Sequence, residues 1–437
     1  MLWLYRLLFL PALILGSPFY LRRMWRRGGY RENFRHRFGG LDPLPAKQAG
    51  TKRIWLQAVS VGEVLAIGPL LTAWQREGGL EIFLTTTTST GYNLARERYR
   101  DLVIGIGYYP LDWWCFSARA WRAVQPDLVI LTEGERWPEH IYQASIRGVP
   151  VVSINARVSD RSFQRMMRVK PLVQSLLGGI TKVLAGSTLD ADRFREMGFP
   201  DKSITTTGSI KLDVSIPVLP DAEKSRLRQE LGLPASGLVL MGSSTWEGEE
   251  SVMIRTLQKV RAAGLACSLL LVPRHAERRA AIELMLKSFG VKYQFRSKQV
   301  RSAKSATDAS LTAIDVAVVD TTGEMRAMLQ LADVVFVGKS LPPHAEGQTP
   351  VESAILGRPI LFGPGMGNFQ LIARELVNAG AARIVANGDE LTAAAIDLLG
   401  DSEKRGKYSL AGQVWHQQNV GAVERTLKAI KDCLNTN

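Results

Sequence analysis

The sequence is poor in the residues that build metal centres and disulfide frameworks. Of its 437 residues only five are histidines and three are cysteines, and the cysteines are far apart, at Cys115, Cys267 and Cys433. No CxxC, HxxxH or HExxH spacing occurs. The sequence therefore predicts no disulfide framework, no metal held by protein ligands and no cofactor.

Other common binding signatures are also missing. The loop 241–249 follows a predicted strand but has neither the GxGxxG nor the GxxxxGK[ST] spacing, so neither a dinucleotide site nor a P-loop is predicted. No internal repeat with a period of about 20 to 50 residues is found. The pI near 9.8 does not indicate nucleic-acid binding, because outside the N-terminal arm no basic stretch is interleaved with stacking aromatics.

The first twenty residues form a long apolar run. Residues 2–20 carry one charge, Arg6, and are about long enough to cross a ~30 Å hydrocarbon layer. Four arginines follow this run: Arg22, Arg23, Arg26 and Arg27. A cleaved signal peptide carries its charges before the apolar core, so residues 1–27 are predicted to be a retained membrane anchor with its basic flank. Pro11 and Pro18 leave open whether the segment spans the membrane or lies in its interface.

Positive charge is concentrated in this arm. Residues 1–37 contain eight arginines and one acid, Glu32, a net of +7 out of the whole-chain +14. Such a block beside an apolar segment is attracted to anionic lipid by about 1 kcal/mol per basic residue. Positive charge on the C-terminal flank also predicts that the rest of the chain is cytoplasmic.

Beyond the arm, strand-like and helix-like segments alternate twice, which is typical of parallel doubly wound sheets. Strands are predicted at 54–59, 81–85, 128–131, 151–154, 182–185 and 204–207, and then at 238–241, 268–272, 291–295, 316–319, 334–337 and 360–362. The sequence thus predicts an α/β protein with Rossmann-like domains at 28–212 and 237–415. They are expected to be joined by a Pro-bearing linker at 213–236, to enclose a cleft, and to be followed by a C-terminal helix at 416–437. A polar run at 297–310 is predicted to be a loop.

Two acidic patterns follow predicted strands in the first half. Ser60-Val-Gly-Glu63 has the spacing of a capping box, which explains it structurally. The alternative is that Glu63 lies at the carboxyl edge of the sheet and takes a proton from a substrate hydroxyl. Glu133 and Glu135 follow the predicted strand at 128–131 and either form a solvated, salt-bridged loop with Arg136 or belong to the same site.

In the second half, Arg274 follows a strand end and either pairs with a phosphate or is a solvated arginine. Thr321-x-x-Glu324 is again a capping box, but Gly323 lets a ligand approach the main chain closely. Glu352 is placed in the first turn of a helix after Pro350, where a carboxylate either stabilises the helix start or binds ribose hydroxyls.

Taken together, these stretches resemble the 3-deoxy-D-manno-octulosonic acid (Kdo) transferases of lipopolysaccharide synthesis over nearly the whole chain. The matching stretches are RENFRHRFG, AVSVGEVLA, TEGERWPE, INARVS, TGSIKLD, GSSTWEGEES, VPRHAER, DTTGEM and QTPVESA with GRPILFGPGMGNF. The resemblance implies a GT-B fold at the cytoplasmic side of the inner membrane. It also implies an inverting, metal-independent enzyme that moves Kdo from CMP-Kdo to a lipid A precursor.

The resemblance also assigns roles to residues. The general base corresponds to Glu63, the acid that assists the transition state to Glu133, and the lysine of the family to Lys211 at the expected hinge. Contacts to CMP correspond to Pro273, Arg274, Thr322, Gly323, Glu324, Thr349, Pro350, Val351 and Glu352.

Two stretches depart from the family pattern. Glu346-Gly-Gln348-Thr349 stands where Gly-Gly-His-Asn is usual, so the Asn contact to the nucleotide is either lost or replaced by the Thr349 hydroxyl. Gly134 and Arg136 alter the acidic loop, which usually reads Glu-Thr-Glu-Leu-Trp-Pro. Two alternatives therefore stay open: a GT-B transferase that uses another activated sugar on a lipid acceptor, and a non-catalytic membrane-bound protein that binds a nucleotide or glycan.

Overall fold

The computed structural model describes residues 1–26, 32–298 and 314–435. Arg27, Arg31 and most of the polar loop predicted at 297–310 lie outside the described residues. The chain divides into two compact units: unit 1 is Met1–Asp213 with Asn419–Asn437, and unit 2 is Val214–Gln418.

Unit 1 is built on a parallel seven-stranded sheet with the order β3-β2-β1-β4-β5-β6-β7. The strands are β1 Lys52–Gln57, β2 Leu80–Thr86, β3 Gly105–Tyr108, β4 Leu128–Thr132, β5 Val151–Ala156, β6 Lys182–Ala185 and β7 Ile204–Thr206. The strand order reverses between β1 and β4. In open α/β sheets, ligands bind beyond the carboxyl ends of the strands at such a switch point.

Both faces of this sheet are covered, which explains why its strands read as continuous apolar runs. Along β1, Ile54 and Leu56 pack into one core with Trp74, while Trp55 points to the opposite face and packs with Trp121. This alternation follows from the two-residue side-chain period of a strand. The sheet is therefore packed on both faces, and the polar loops follow its strands at the carboxyl edge.

The helices of the N-terminal part of unit 1 are α1 Leu2–Arg26, α2 Val61–Ala66, α3 Gly68–Glu77, α4 Ser89–Tyr99, α5 Trp114–Val124, α6 Pro138–Ser145, α7 Asp160–Arg168, α8 Lys170–Leu177 and α9 Thr188–Met197. Helix α1 contains a window, Leu2–Phe19, that is long and apolar enough to cross a membrane by length and composition. The predicted N-terminal apolar helix is therefore present in the structure.

Unit 2 repeats the architecture with the sheet order β10-β11-β9-β8-β12-β13-β14, again all parallel. Its strands are β8 Leu238–Thr245, β9 Cys267–Pro273, β10 Tyr293–Phe295, β11 Val316–Val318, β12 Val334–Val337, β13 Ile360–Phe362 and β14 Ala382–Ile384. The switch point of this sheet is between β8 and β12.

The remaining helices are α10 Asp221–Glu230, α11 Glu249–Ala262, α12 Arg279–Ser288, α13 Met325–Met328, α14 Val351–Ile355, α15 Gln370–Asn378, α16 Gly388–Gly400, α17 Ser402–Asn419 and α18 Ala422–Asn435. Short 3-10 helices occupy Phe34–Phe38, Asp201–Ser203, Ala276–Arg278, Leu329–Leu331 and Gly367–Phe369.

The final helix, α18, belongs to unit 1 although its sequence follows unit 2. Ala422 and Ile430 are buried in the core that contains Ile54. The Asp213 carboxylate accepts hydrogen bonds from the main-chain N–H groups of Gly421 (3.0 Å) and Val423 (2.6 Å), which fixes the start of the helix. The last residues, predicted as a separate C-terminal helix at 416–437, thus complete the first unit.

The expected α/β class with parallel sheets is confirmed, but some local predictions differ from the structure. Strand β3 was not predicted because its sequence, Gly-Ile-Gly-Tyr, has two glycines, and β14 was missed because it is a three-residue edge strand. The segment 213–236, expected as a linker, joins unit 2 from Val214 onward. It contains α10, which is anchored by the buried side chains of Leu227 and Leu231.

Candidate active site

Glu63 lies at the switch point of unit 1, in the first turn of α2 directly after β1. Ser60 is the N-cap of this helix, and its side chain faces the Glu63 N–H at 3.5 Å. The Glu63 carboxylate in turn accepts hydrogen bonds from the Val59 N–H at 2.9 Å and from the Ser60 hydroxyl at 3.0 Å. Ser60 is thus the N-cap expected from the Ser-x-x-Glu spacing, but the Glu63 carboxylate reaches back to the Val59 N–H instead of to the Ser60 N–H of a capping box.

The same carboxylate also takes part in a contact across the switch point. The Thr132 hydroxyl, at the end of β4, donates to Glu63 Oε2. The Glu63 residue is 8% exposed, and burial raises the pKa of its carboxyl. Hydrogen bonds from Thr132, Val59 and Ser60 act in the opposite direction, and the charge of Glu133 raises the pKa further.

The Glu63 side chain therefore takes part in the cap of its helix and is also placed to accept a proton from a substrate hydroxyl. An ionised carboxylate offers about four lone-pair positions, and three donors point at this one, so one acceptor position remains. A buried carboxylate with a raised pKa is a better proton acceptor than a solvated one. The cap holds the side chain in place, and burial gives it basicity.

Glu133 lies beside Glu63, at the residue that follows β4. Its main chain has a left-handed φ of 51°, which is uncommon for a non-glycine residue. Its carboxylate forms an ion pair with Lys211, and Oε1 also accepts from the Asn155 side-chain amide at 3.2 Å. The structure therefore brings the predicted residues Glu63, Glu133 and Lys211 to one edge of the sheet.

Asn155 is a part of this cluster that the sequence analysis did not identify. It lies in β5 with a left-handed φ of 47° and is almost wholly buried. Its position inside the stretch INARVS was the available signal, but nothing in the spacing connects it with Glu133, 22 residues earlier. Left-handed non-glycine residues collect at functional sites, and Glu133 and Asn155 are such a pair on neighbouring strands.

The acidic loop is not the solvated salt-bridged loop that was considered from the sequence. The Arg136 guanidinium donates to the carbonyl of Arg157 at 2.8 Å and lies 4.9 Å from the centre of the Phe194 ring. Burial lowers the pKa of Arg136 to about 10. Burial, followed by the charge of Glu63, raises the pKa of Glu135 to about 7. The loop thus places a second weakly acidic carboxyl near the first.

In unit 2 the corresponding switch point is held by Glu249, which the sequence analysis did not single out. Its buried carboxylate accepts four main-chain N–H groups, each within 3.1 Å: those of Trp246, Lys339, Ser340 and Leu341. It therefore ties the loop after β8 to the loop after β12. Gly338 is required there, since a Cβ would lie 2.5 Å from the Ser244 carbonyl oxygen.

Trp246, with Lys339 and His275 packed against its ring, lies beside the Glu249 carboxylate. The Lys339 ammonium is 4.1 Å from the centre of the Trp246 ring, and Lys339 itself has a left-handed φ of 58°. The His275 ring packs against the same tryptophan edge-to-face at 4.9 Å. The Lys339 ammonium also pairs with Glu346 at 3.3 Å, so this group is a partly aromatic surface with a compensated cation at the carboxyl edge of the second sheet.

Pro273 and Arg274 lie at the end of β9. Pro273 is buried as the last residue of the strand, while the Arg274 side chain is exposed. The Arg274 N–H donates to the Thr245 carbonyl at 3.1 Å. Among the described residues its guanidinium has no hydrogen-bonding partner, so it is available for an anionic ligand.

Thr322, Gly323 and Glu324 follow β11. Thr322 and Gly323 are exposed, and a Cβ at Gly323 (φ 88°) would meet nothing within 4 Å, so a ligand has open access to this main chain. Glu324 accepts hydrogen bonds from the Thr321 hydroxyl and from the Arg296 guanidinium at 3.2 Å. Its carboxylate is therefore held in place rather than free.

Thr349, Pro350, Val351 and Glu352 surround the start of α14, which begins at Val351. The Thr349 hydroxyl accepts from the Val351 N–H at 3.3 Å. Glu352 lies in the first turn, as predicted, and pairs with the Arg326 guanidinium of α13 at 2.7 Å. This ion pair links α13, which follows the loop after β11, to α14, which follows the loop after β12, and both loops carry predicted nucleotide contacts.

The glycine-rich loop after β13 borders a cavity of about 420 Å³. Its lining includes Gly363, Pro364, Gly365, Met366 and Gly367 together with Arg374 of α15. The loop belongs to the stretch on which the resemblance partly depends. The lining carries one charged side chain, Arg374, while the main-chain N–H groups of Gly363, Gly365 and Gly367 are already bonded to Ser340 and Ala345.

No cluster of three or more His, Cys, Asp or Glu side chains suited to a metal ion is found within residues 1–26, 32–298 and 314–435. Cys115, Cys267 and Cys433 are free thiols.

Comparison with known proteins shows similarity to one enzyme family along the chain. The sequence profile described as "3-Deoxy-D-manno-octulosonic-acid transferase (kdotransferase)" matches residues 32–214. The 3-deoxy-D-manno-octulosonic acid transferase of Haemophilus influenzae is 31% identical over 435 residues, which cover 99% of this chain and 96% of that protein. The Bordetella pertussis enzyme of the same name is 33% identical over 425 residues, covering 94% and 95%.

Solved structures support the fold. Anabaena HepE in complex with UDP has a TM-score of 0.57 at 14% identity, covering 89% of this chain and 100% of that chain. The UDP-GlcNAc 2-epimerase of Neisseria meningitidis bound to UDP-GlcNAc has a TM-score of 0.56 at 12% identity, covering 88% and 100%. At these identities the likeness shows the fold alone, and it confirms the expected GT-B class.

Proposed function

The chain belongs to the 3-deoxy-D-manno-octulosonic acid transferase family, and from this premise we propose that it moves Kdo from CMP-Kdo to a hydroxyl group of a lipid A precursor. The family membership makes it a Kdo glycosyltransferase. What we propose beyond this is that the donor nucleotide is CMP, that the acceptor is a lipid A precursor and that the anomeric configuration is inverted.

The observation that carries the proposal is the environment of Glu63. This carboxylate is buried at the switch point of unit 1, its pKa is raised, and it is held by Thr132 and by its own helix cap. A positioned base of this kind removes the proton of an attacking hydroxyl, an effect worth about 10² to 10⁴ in rate.

In the proposed reaction the acceptor hydroxyl gives its proton to Glu63 and attacks the anomeric carbon of Kdo. The bond from that carbon to the CMP phosphate breaks as the new glycosidic bond forms, so the anomeric configuration inverts. Positive charge develops on the sugar in an oxocarbenium-like transition state. The Glu133 carboxylate, held by Lys211 and Asn155, is suited to stabilise this charge.

We assign donor binding to unit 2. The exposed guanidinium of Arg274 suits the phosphate of CMP, since an arginine pairs with phosphate through two parallel hydrogen bonds. Further polar groups are supplied by the solvent-accessible main chain of Thr322 and Gly323. The Thr349 hydroxyl, in place of an asparagine, is another. The remaining predicted contacts are assigned to fixing the conformation of these loops: Pro273, Glu324, Pro350, Val351 and Glu352.

We further propose that the protein works at the cytoplasmic face of the inner membrane and needs no metal. The apolar helix α1 and the arginine-rich residues that follow it support membrane association. Metal independence is tested by comparing initial rates before and after dialysis against EDTA. Unchanged rates are expected, and a loss that Mg²⁺ or Mn²⁺ restores would contradict the prediction.

The decisive experiment incubates the purified full-length protein with CMP-Kdo and a tetraacylated lipid A precursor and then measures the mass of the lipid. A gain of one or more Kdo units is expected. No gain with CMP-Kdo, but a gain with another CMP- or UDP-sugar, would reject the proposed donor in favour of a transferase that uses a different sugar.

The Glu63→Ala variant separates an enzyme from a binding protein of the same fold. We expect it to lose turnover while CMP still raises its melting temperature, because the donor loops belong to unit 2. A wild-type protein that CMP stabilises but that transfers no sugar would instead identify a nucleotide sensor. CMP-induced stabilisation that disappears in an Arg274→Ala variant would support the role of Arg274.

A further inference from the structure

The apolar helix α1 is attached to the body of unit 1 near its N-terminal end, which bears on how it meets the membrane. The Tyr5 hydroxyl donates to the Asp112 carboxylate at 2.6 Å. Arg6 pairs with Glu139 through two hydrogen bonds of 2.8 and 3.0 Å, and the Glu139 side chain is 0% exposed. These are part-buried, charge-assisted hydrogen bonds, which fix the relative orientation of the groups they join.

The attachment continues one turn further along α1. The Phe9 ring stacks on Trp113, the N-cap of α5, at a centroid distance of 6.1 Å. Asp112 also accepts the main-chain N–H groups of Glu139 (3.1 Å) and His140 (3.0 Å), so the carboxylate that holds Tyr5 also caps α6. The first turns of α1 therefore rest on the starts of α5 and α6.

The chain that follows α1 is attached to the same place. The Phe38 ring packs edge-to-face on Phe116 at 5.2 Å, and the Leu111 N–H donates to the Arg37 carbonyl at 2.9 Å. Phe116 is in the first turn of α5, three residues after the Trp113 that holds Phe9. Those two attachment points are only about 5 Å apart along the axis of α5.

The end of α1 is tethered as well. Glu32 pairs with Arg96 of α4 at 2.7 Å, and only six peptide units separate it from Arg26, the last residue of α1. Six extended residues reach at most about 20 Å. Arg26 is therefore closer to the body of unit 1 than the ~30 Å thickness of a hydrocarbon core.

Because the start of the helix touches the body and its end is tethered to it, the geometry points to a helix that does not cross the bilayer. We propose that α1 enters one leaflet only, with Met1 on the same side as both units. A crossing helix, about 37 Å long, would place its first and last turns on opposite sides of the membrane.

The partner of this surface is the acyl-chain region of the leaflet that faces the body. The exposed face of α1 carries large apolar side chains along its length: Leu4, Leu7, Leu8, Ile14, Leu15 and Phe19. The single charge within residues 2–19, Arg6, is turned to Glu139 instead of lipid. Four arginines that follow the apolar run, Arg22, Arg23, Arg26 and Arg27, supply the charge that favours an anionic headgroup layer beside such a helix.

Sidedness of the N-terminus tests the proposal directly. A short hydrophilic tag with a protease site is placed before Met1 of the full-length protein, and protease is added to intact spheroplasts or to inverted membrane vesicles. Cleavage in inverted vesicles only is expected. The same tag after Asn437 is the matched control, because it follows α18 of unit 1 and reports the cytoplasmic side in either case.

Cleavage of the N-terminal tag in intact spheroplasts, with the C-terminal tag protected, would overturn the proposal. A second measurement guards against an effect of the tag on insertion. Arg6→Leu leaves the Glu139 carboxylate buried without a cation, so the melting temperature should fall by roughly 10 °C while the protein stays in the membrane fraction.

The matched double variant, Arg6→Leu with Glu139→Leu, should recover most of this loss because the two residues form one pair. Independent, additive effects of the two changes would contradict docking of the helix. For a crossing helix, Arg6→Leu removes an unfavourable charge from the apolar segment and should not lower the melting temperature.

A double variant, Leu7→Arg with Leu15→Arg, tests whether lipid acyl chains contact the exposed face of α1. Binding of this variant to vesicles of phosphatidylethanolamine and phosphatidylglycerol should fall at least tenfold, with its melting temperature unchanged because both side chains are exposed. If the variant keeps wild-type vesicle binding but converts a dimer into a monomer, the face belongs to a second copy and the lipid assignment fails.

Discussion

The two units place a buried glutamate at the same point of the same architecture. Glu63 and Glu249 each lie in the first turn of the helix that follows the first strand of a parallel seven-stranded sheet. Glu249 accepts four main-chain N–H groups and joins two loops. Glu63 accepts one main-chain N–H and two hydroxyls, and it has the acids Glu133 and Glu135 for neighbours.

The difference shows that position in a fold does not decide the role of a carboxylate. Four fixed amide donors use every acceptor position of Glu249, so that side chain holds a structure together. Around Glu63, burial and neighbouring negative charge raise the pKa, and one acceptor position is left for a substrate. The first environment is suited to rigidity, and the second is suited to proton transfer.

The largest expected effect is on Glu63. Glu63→Gln keeps the size and one carbonyl oxygen of the side chain but removes its basicity, so turnover should fall by about 10² to 10⁴. Initial rates of Kdo transfer measure this, and circular dichroism shows whether the fold is kept. A variant that retains a tenth or more of wild-type turnover would mean that another group is the base.

The matched change in unit 2 should act on stability first. Glu249→Gln replaces an acceptor oxygen with an NH₂ group that faces main-chain donors, so the free energy of unfolding should fall by about 1 to 3 kcal/mol. The Michaelis constant for the donor should rise, while turnover at saturating donor falls less than in Glu63→Gln. Denaturant unfolding and steady-state kinetics separate the two effects, and an unchanged unfolding midpoint would contradict the structural role.

A smaller, pH-dependent effect is expected at Glu135. Its pKa in the folded protein is about 7, against a usual value of 4.5, so the folded state holds an extra proton between these pH values. Stability contributed by this group is therefore lost as pH rises from 4.5 through 7. The Glu135→Gln side chain cannot ionise. The melting temperature of this variant should therefore rise relative to that of the wild type as the pH increases from 4.5 through 7.

Melting curves of both proteins at pH 4.5, 6 and 8 measure this difference. A gap between the two melting temperatures that does not change with pH would mean that Glu135 titrates normally. Glu97→Gln is a suitable control because Glu97 is an acid on α4 whose side chain is exposed to solvent in the folded protein.

The smallest effect should come from the ion pair between Arg326 and Glu352. The Arg326 side chain is about half exposed, and such pairs contribute about 0 to 1 kcal/mol. Arg326→Met should thus barely change the melting temperature, but it should raise the Michaelis constant for the donor if the pair positions α14 for the nucleotide. If the melting temperature and the Michaelis constant both change, or if neither changes, the proposed positioning role is contradicted.

Local sequence signals predicted much of this architecture and part of the site. Buried strands such as β4 are continuous apolar runs, and the Ser60–Glu63 spacing revealed the N-cap of α2, three residues after the end of β1. The bond from Thr132 to Glu63 joins residues 69 positions apart, and the partners of Glu249 at 339–341 lie about ninety positions downstream. Such contacts are set by strand order, which no local pattern encodes.

The return of α18 to unit 1 has a consequence for how the protein is made. Unit 2 is one continuous stretch of chain, so all of it is translated before the last residues of unit 1. Until Ala422 and Ile430 emerge, the core around Ile54 lacks its final layer. The first unit to be translated is therefore the last to be completed, and a nascent chain that stalls before its closing helix exposes apolar surface to aggregation.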